Sequence, residues 1–117
     1  MTNKIADVLR HAKEVIDTPD KWTKDHYAVD ANGRDVSIED AVCFCLGGAI
    51  GRAGHDMGAG PRDFWIMRLS LTSAIGGSIA SFNDNESTTF EDVHKALDDA
   101  ITLSEERISL VEIIRGR

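Results

Sequence analysis

Hydrophobic residues recur at helical spacing in three stretches of the chain. Ile5, Val8, Leu9, Ala12, Val15 and Ile16 are separated by Asp7, Arg10, Lys13, Glu14 and Asp17, the pattern of an amphipathic helix with one buried stripe. Thr18-Pro19-Asp20 closes it, because the residue before a proline is pushed out of the helical region. Phe64, Met67, Leu71, Ala74, Ile75, Ile79 and Phe82 form a second series, with Pro61 at its first position and Asp63 in its first turn. Gly76-Gly77 lies inside that series and marks a break or bend. A third series, Phe90, Val93, Leu97, Ala100, Ile101, Ser104, Ile108 and Val111, predicts a helix from about Phe90 to near Ile114. Thr88 with Glu91, or Thr89 with Asp92, supplies its capping pair.

The remaining stretches follow other rules. Residues 20–36 have no helical period, and Trp22, Tyr27 and Val29 are their sizeable apolar anchors. Asn32-Gly33 favours positive φ and a tight turn, so Tyr27–Asp30 and Arg34–Val36 are expected to form a small ribbon. A lone ribbon is marginal in water, which requires it to lie on the helices through Trp22 and Val36. Ser37, with Asp40 three residues on, reads as the N-cap of a further helix running to Gly54. That helix contains Ala41–Ala53, a stretch uncharged apart from Arg52, and is expected to be the buried axle of the fold. Its glycines cost roughly 1 kcal/mol each relative to alanine. Gly47 and Gly51, one turn apart, therefore predict a neighbouring helix crossing close to the backbone, and His55–Gly60 reads as a glycine-rich link. The expected fold is mostly α, a single domain over residues 1–117 with about four principal helices and a short two-stranded β-ribbon near residues 27–36.

Composition narrows the function classes. The chain has 117 residues and a net charge of −7, with a pI near 4.9. A duplex nucleic-acid binder would show a basic stripe instead. A plain acidic surface explains the charge better than mimicry of a nucleic acid. Two cysteines so close together do not make a disulfide framework, which points to reduced thiols and a cytoplasmic setting. The charged N-terminal pattern is not that of a secretory signal, and no apolar run reaches the ~18 residues of a membrane span.

Few residues suggest chemistry. Cys43 and Cys45, two apart on a helix, would be separated by roughly 200° and could not share a metal; they read as small buried hydrophobes. His11, His26, His55 and His94 are scattered, with His11 and His94 on the solvent side of their helices. The glycine clusters lack the strand context and lysine of a phosphate loop. No metal and no cofactor is expected. Glu91, Asp98, Glu105 and Glu112, and Asp92, Asp99 and Glu106, recur every seven residues as a solvated outer face. Asn83-Asp84, directly after Phe82 at a helix junction, reads either as a cap or as a hydrogen-bonding pair. In the second case it stands at the mouth of a ligand pocket shared with Trp22 and Asp30.

The order of these features resembles the family catalogued as domain of unknown function 6197, small proteins of tailed phages and bacteria. Trp22-Thr23, Ala28-x-Asp30-Ala31-x-Gly33-x-x-Val36, Ala41–Ile50, Phe82-Asn83-Asp84, Thr89-x-x-Asp92-Val93 and Leu97-Asp98-x-Ala100-Ile101 carry the resemblance. The family's Cys-x-x-Gly-Ala is best matched by Cys45 with Gly48-Ala49. The resemblance implies phage or bacterial origin and a cytoplasmic location. It makes the tryptophan, cysteine and Asn-Asp positions part of a shared design, and it implies no particular activity.

The expected function is that of a non-enzymatic binding protein acting as an oligomer, an accessory factor that inhibits or sequesters a host component. The alternative is a small ligand-binding protein or enzyme whose polar pocket is formed by Trp22, Asp30, Asn83 and Asp84. Past Leu103 the last helix becomes apolar on more than one side, and Leu103, Ile108, Leu110, Val111, Ile113 and Ile114 are its expected self-association surface. Light scattering at micromolar concentration tests that surface. A mass above that of the 12.8 kDa chain is expected, and a monomer mass contradicts it.

Overall fold

A computed structural model describes the backbone of residues 3–115 and the side chains of residues 3–106. Among the described residues the fold has five α-helices and one two-stranded antiparallel ribbon. In order these are α1 (Lys4–Val15), a single 3-10 turn (Pro19–Lys21), β1 (Ala28–Val29), β2 (Cys43–Phe44), α2 (Leu46–Asp56), α3 (Pro61–Ile75), α4 (Ile79–Asp84) and α5 (Phe90–Arg115). The mostly helical class follows the sequence pattern. Ile108, Leu110, Val111, Ile113 and Ile114 lie outside the described side chains, while Leu103 is partly exposed, at 37 %.

α1 buries Ile5, Val8, Leu9 and Ala12, and each larger side chain contributes about 1.5–3 kcal/mol by leaving water. This stripe meets Leu46, Ala49, Ile50 and Ala53 of α2, and Val93, Leu97, Ala100 and Ile101 of α5, in one apolar core. Outside the core, Lys13 pairs with Asp98 at 2.6 Å and Arg10 with Glu105 at 2.8 Å, so part of the acidic face of α5 is bound to α1. Asn3 caps α1 by accepting the Ala6 N–H. At the other end of the chain, Thr89 and Asp92 exchange side-chain and backbone hydrogen bonds at the start of α5, one of the two expected capping pairs.

Inside the second sequence series the helix breaks outright. Gly76 ends α3 in the left-handed region at φ 81°, and the Ser78 hydroxyl accepts the Ser81 N–H to start α4. Only a residue without a Cβ adopts that φ at little cost.

Four expectations are corrected around residues 27–56. β1 pairs with β2, Ala28 opposite Phe44 and Val29 opposite Cys43, so the second strand is not Arg34–Val36. That segment folds back on β1 through single bonds, Asp30 N–H to Arg34 O and Val36 N–H to Ala28 O. Ser37 and Asp40 close an isolated turn. The β-branched and aromatic residues that follow are drawn into the ribbon, and α2 begins only at Leu46. Cys43 therefore lies in a strand and Cys45 is the N-cap of α2, so the helical argument for the two sulfurs does not hold. Both thiols are half-buried. His55 falls within α2, which shortens the link to residues 57–60.

The close approach predicted at the α2 glycines is real, but a different segment makes it. A Cβ on Gly48 would land on the Tyr27 backbone carbonyl, and one on Gly51 would land on the Tyr27 hydroxyl. The tyrosine ring thus lies along the small-residue face of α2, and the loop before β1 occupies the place expected for a crossing helix. Gly48→Ala is predicted to destabilise the fold by about 1–3 kcal/mol through overpacking against backbone. An unchanged urea midpoint contradicts this packing.

Candidate functional site

The start of α2 is the place where distant segments meet. Its N-terminal N–H groups have no partner within the helix, and two side chains satisfy two of them. The Cys45 thiol accepts the Gly48 N–H at 3.3 Å. Asn83, the penultimate residue of α4, accepts the Leu46 N–H at 2.9 Å. The same Asn83 Oδ1 accepts the Trp22 indole N–H. Its Nδ2 donates to the Thr23 carbonyl at 3.1 Å and to Asp84 Oδ1 at 2.9 Å. Asn83 is 1 % exposed, and both its oxygen lone pairs and both its N–H groups are used. A single amide therefore joins the Trp22 segment, α2 and α4.

Trp22 is held in place from its other sides as well. Its ring tilts against Phe90 with centroids 6.4 Å apart, and Lys24 Nζ lies 5.4 Å over it. The Thr23 N–H donates to the Phe44 carbonyl at 3.0 Å. The chain then turns at Asp25, which has a φ of 67°, and its N–H donates to Asp84 Oδ1 at 2.8 Å. That backbone bond and the Asn83 amide hold the Asp84 carboxyl below its ordinary range. Oδ2 of Asp84 has no hydrogen bond among the described residues and keeps its acceptor capacity.

A pocket of about 370 Å³ opens beside this junction, lined by Tyr27, Cys45, Arg68, Ile79, Asn83 and Asp84, with Asp25 and His26 at the loop side. Of the expected pocket residues, Asn83 and Asp84 line it. Trp22 stands behind Asn83 and acts on the wall through it. Asp30 belongs elsewhere, since its Oδ1 accepts the Asn32 and Arg34 N–H groups and braces the turn at Gly33. Tyr27, Cys45 and Arg68 were not singled out as site residues. Tyr27 and Cys45 are brought together by the antiparallel bond from Cys45 N–H to Tyr27 O, a pairing with no local sequence signal. Arg68 does carry one, as a charge flanked by Met67 and Leu71, which are buried on α3.

Burial pushes the Cys45 thiol up. The Gly48 and Gly47 N–H groups oppose that shift, and nearby Asp84 adds to it. A cysteine in this state is a protonated thiol at neutral pH, a weak donor and acceptor rather than a thiolate. Burial likewise raises the Tyr27 phenol, assisted by Cys45 and opposed by Arg68. Among the described residues no group of His, Cys, Asp and Glu is placed to hold a metal ion, and no helix is long and apolar enough to cross a membrane.

A second depression of about 480 Å³ lies between α1 and α2, lined by His11, Glu14, Val42, Arg52 and Asp56 among others. Its charged groups are already engaged with one another. His11 meets Asp56 at 3.0 Å and Glu14 at 3.3 Å, and Arg52 meets Asp56 at 3.0 Å. His94, expected on the surface, is partly buried and contacts the Ile16 carbonyl.

The chain belongs to a family of unknown function, DUF6197, whose model matches residues 1–103. That span contains the whole Trp22–Asn83–Asp84 junction and the pocket beside it. No curated protein matches the chain, and no solved structure does.

Two predictions follow from the junction. Asn83→Leu keeps the volume but leaves the Trp22 and Leu46 N–H groups unpaired, at about 1–3 kcal/mol each. A loss on the order of 3 kcal/mol is expected in urea unfolding, and a loss below ~1 kcal/mol contradicts the role given to the amide. The second concerns acid. The folded Asp84 carboxyl lies below its ordinary value of 3.8, so its contribution is complete above that value. It is lost as pH falls through the lower folded one. Asp84→Asn is expected to flatten the stability profile below ~pH 4, and an unchanged acid slope contradicts the shift.

Proposed function

We propose that this protein binds a small polar molecule in the pocket between the Asp25–Tyr27 loop, the start of α2, α3 and α4. The observation that carries this reading is the Asn83 junction. A fully buried, fully hydrogen-bonded amide fixes the orientation of Asp84, which lines a pocket of about 370 Å³ and keeps Oδ2 without a hydrogen bond among the described residues. Ligand sites are commonly ~300–1,000 Å³, largely pre-formed, with a few fixed polar groups on an apolar lining. Ile79, Ala80 and the Tyr27 ring supply such a lining.

The depression between α1 and α2 is a weaker candidate although it is larger. A ligand there would have to break the His11–Asp56 and Arg52–Asp56 contacts before making its own. In the Asn83 pocket, the Tyr27 hydroxyl and the Arg68 guanidinium have no hydrogen-bond or ion-pair partner among the described residues.

Binding fits the site better than catalysis. The one nucleophilic side chain, Cys45, is engaged as a helix cap and is held protonated by burial. This is the alternative reading of the sequence, a small ligand-binding protein with a polar pocket, in place of an oligomeric factor acting on a host component. A soluble acidic surface and a cytoplasmic setting suit this role.

Cys45 provides the test, because it lines the pocket while Cys43 hydrogen-bonds to the Asp20 carbonyl outside it. Fragments that bind are expected to slow iodoacetamide modification of Cys45, followed at alkaline pH where part of the buried thiol ionises and mapped by mass spectrometry, without slowing Cys43. Asp84→Ala is expected to remove the protection. If every bound fragment leaves the Cys45 rate unchanged, the pocket is not the binding site.

A further inference from the structure

Several charged side chains on this protein close onto opposite charges. Arg10 meets Asp7, Lys21 meets Asp17, Arg52 meets Asp56 and Lys95 meets Asp99, all within 3.1 Å. Like Lys24, Arg34 and Arg62, Arg68 has no ion pair among the described residues, and Asp84 has none either. What sets Arg68 and Asp84 apart is that they line the same pocket without pairing with each other. Arg68 comes from the middle of α3 and Asp84 from the end of α4, so they stand on different walls. Asp84 cannot swing toward Arg68 without losing the Asp25 N–H and the Asn83 amide, both bound to its Oδ1. Apolar surface from Ile79 and Ala80 completes the lining.

On the reading that this pocket binds a ligand, we propose that the ligand is a small zwitterion. Its cationic group meets Asp84 Oδ2, its anionic group meets Arg68, and a short apolar body rests on Ile79 and Ala80. The reason is electrostatic. A purely cationic ligand satisfies Asp84 but is repelled by Arg68, and a purely anionic one is repelled by Asp84 and by Asp25 beside it. A molecule with both charges satisfies both walls. Because Asp84 is already fixed, it pays little ordering entropy on binding. Arginine presents a planar fork of donors that suits a carboxylate or phosphate in particular.

The test uses three probes of one chain length at fixed ionic strength: 6-aminohexanoate, hexylamine and hexanoate. Binding is followed by amide chemical shifts at Gly47, Gly48 and Asp84 in the full-length protein. 6-Aminohexanoate is expected to bind at least about tenfold more tightly than either singly charged probe, the effect of one charge-assisted hydrogen bond. Arg68→Met is expected to erase its advantage over hexylamine, and Asp84→Asn its advantage over hexanoate. Hexylamine or hexanoate binding as tightly as the zwitterion overturns the proposal, as does an Arg68→Met protein with undiminished preference. If 6-aminohexanoate leaves these amides unmoved while another compound protects Cys45, the ligand class is wrong and the binding site stands. If no compound protects Cys45, the binding reading falls and the zwitterion with it.

Discussion

The structure depends on one side-chain amide. Asn83 sits where three chain segments far apart in sequence must meet, and it satisfies a polar group on each of them. A buried polar group is costly when unpaired and specifying when fully paired. The apolar core could tolerate small shifts of α4 against α2, since hydrophobic contact is not directional. The amide cannot, because every one of its hydrogen bonds has a required angle. It thereby converts a loose helical packing into a defined junction, and the pocket is the space left beside that junction.

The chemistry of the pocket follows from the same constraint. Asn83 leaves its neighbour Asp84 pointing outward with one oxygen tied down and one available. The close approach of Tyr27 to Gly48 and Gly51 brings an aromatic ring and a hydroxyl to the opposite side. Cys45 caps the helix that both of them touch. On the proposed binding reading these groups hold and orient a polar molecule, and the protonated thiol gives the site little nucleophilic character. Arg68 adds the single cationic wall.

Much of this was legible from sequence where local rules decide. The stripe of α1, the stop at Thr18-Pro19, the break at Gly76 and the reciprocal cap of Thr89 and Asp92 each depend on residues within a turn or two of one another. The Asn83-Asp84 pair was also visible as a candidate, because two polar residues after Phe82 at a helix junction need partners. What was not legible depended on distant pairing. The strand Cys43–Phe44 reads as part of a helix until Ala28–Val29 is placed against it. Asp30 looked like a pocket group but is consumed by its own turn, a role that the Asn32-Gly33 pair already hinted at. Cys45 and Tyr27 become site residues only when the ribbon brings them together.

The central claim is that Asn83 holds the start of α2. Amide hydrogen exchange at Leu46 measures it most directly. Leu46 is the first residue of its helix, a position whose N–H ordinarily has no intrahelical partner and exchanges readily. If Asn83 accepts that N–H as described, Leu46 will exchange as slowly as the buried amides in the middle of α1. Exchange at the rate of an unprotected helix terminus would contradict the account.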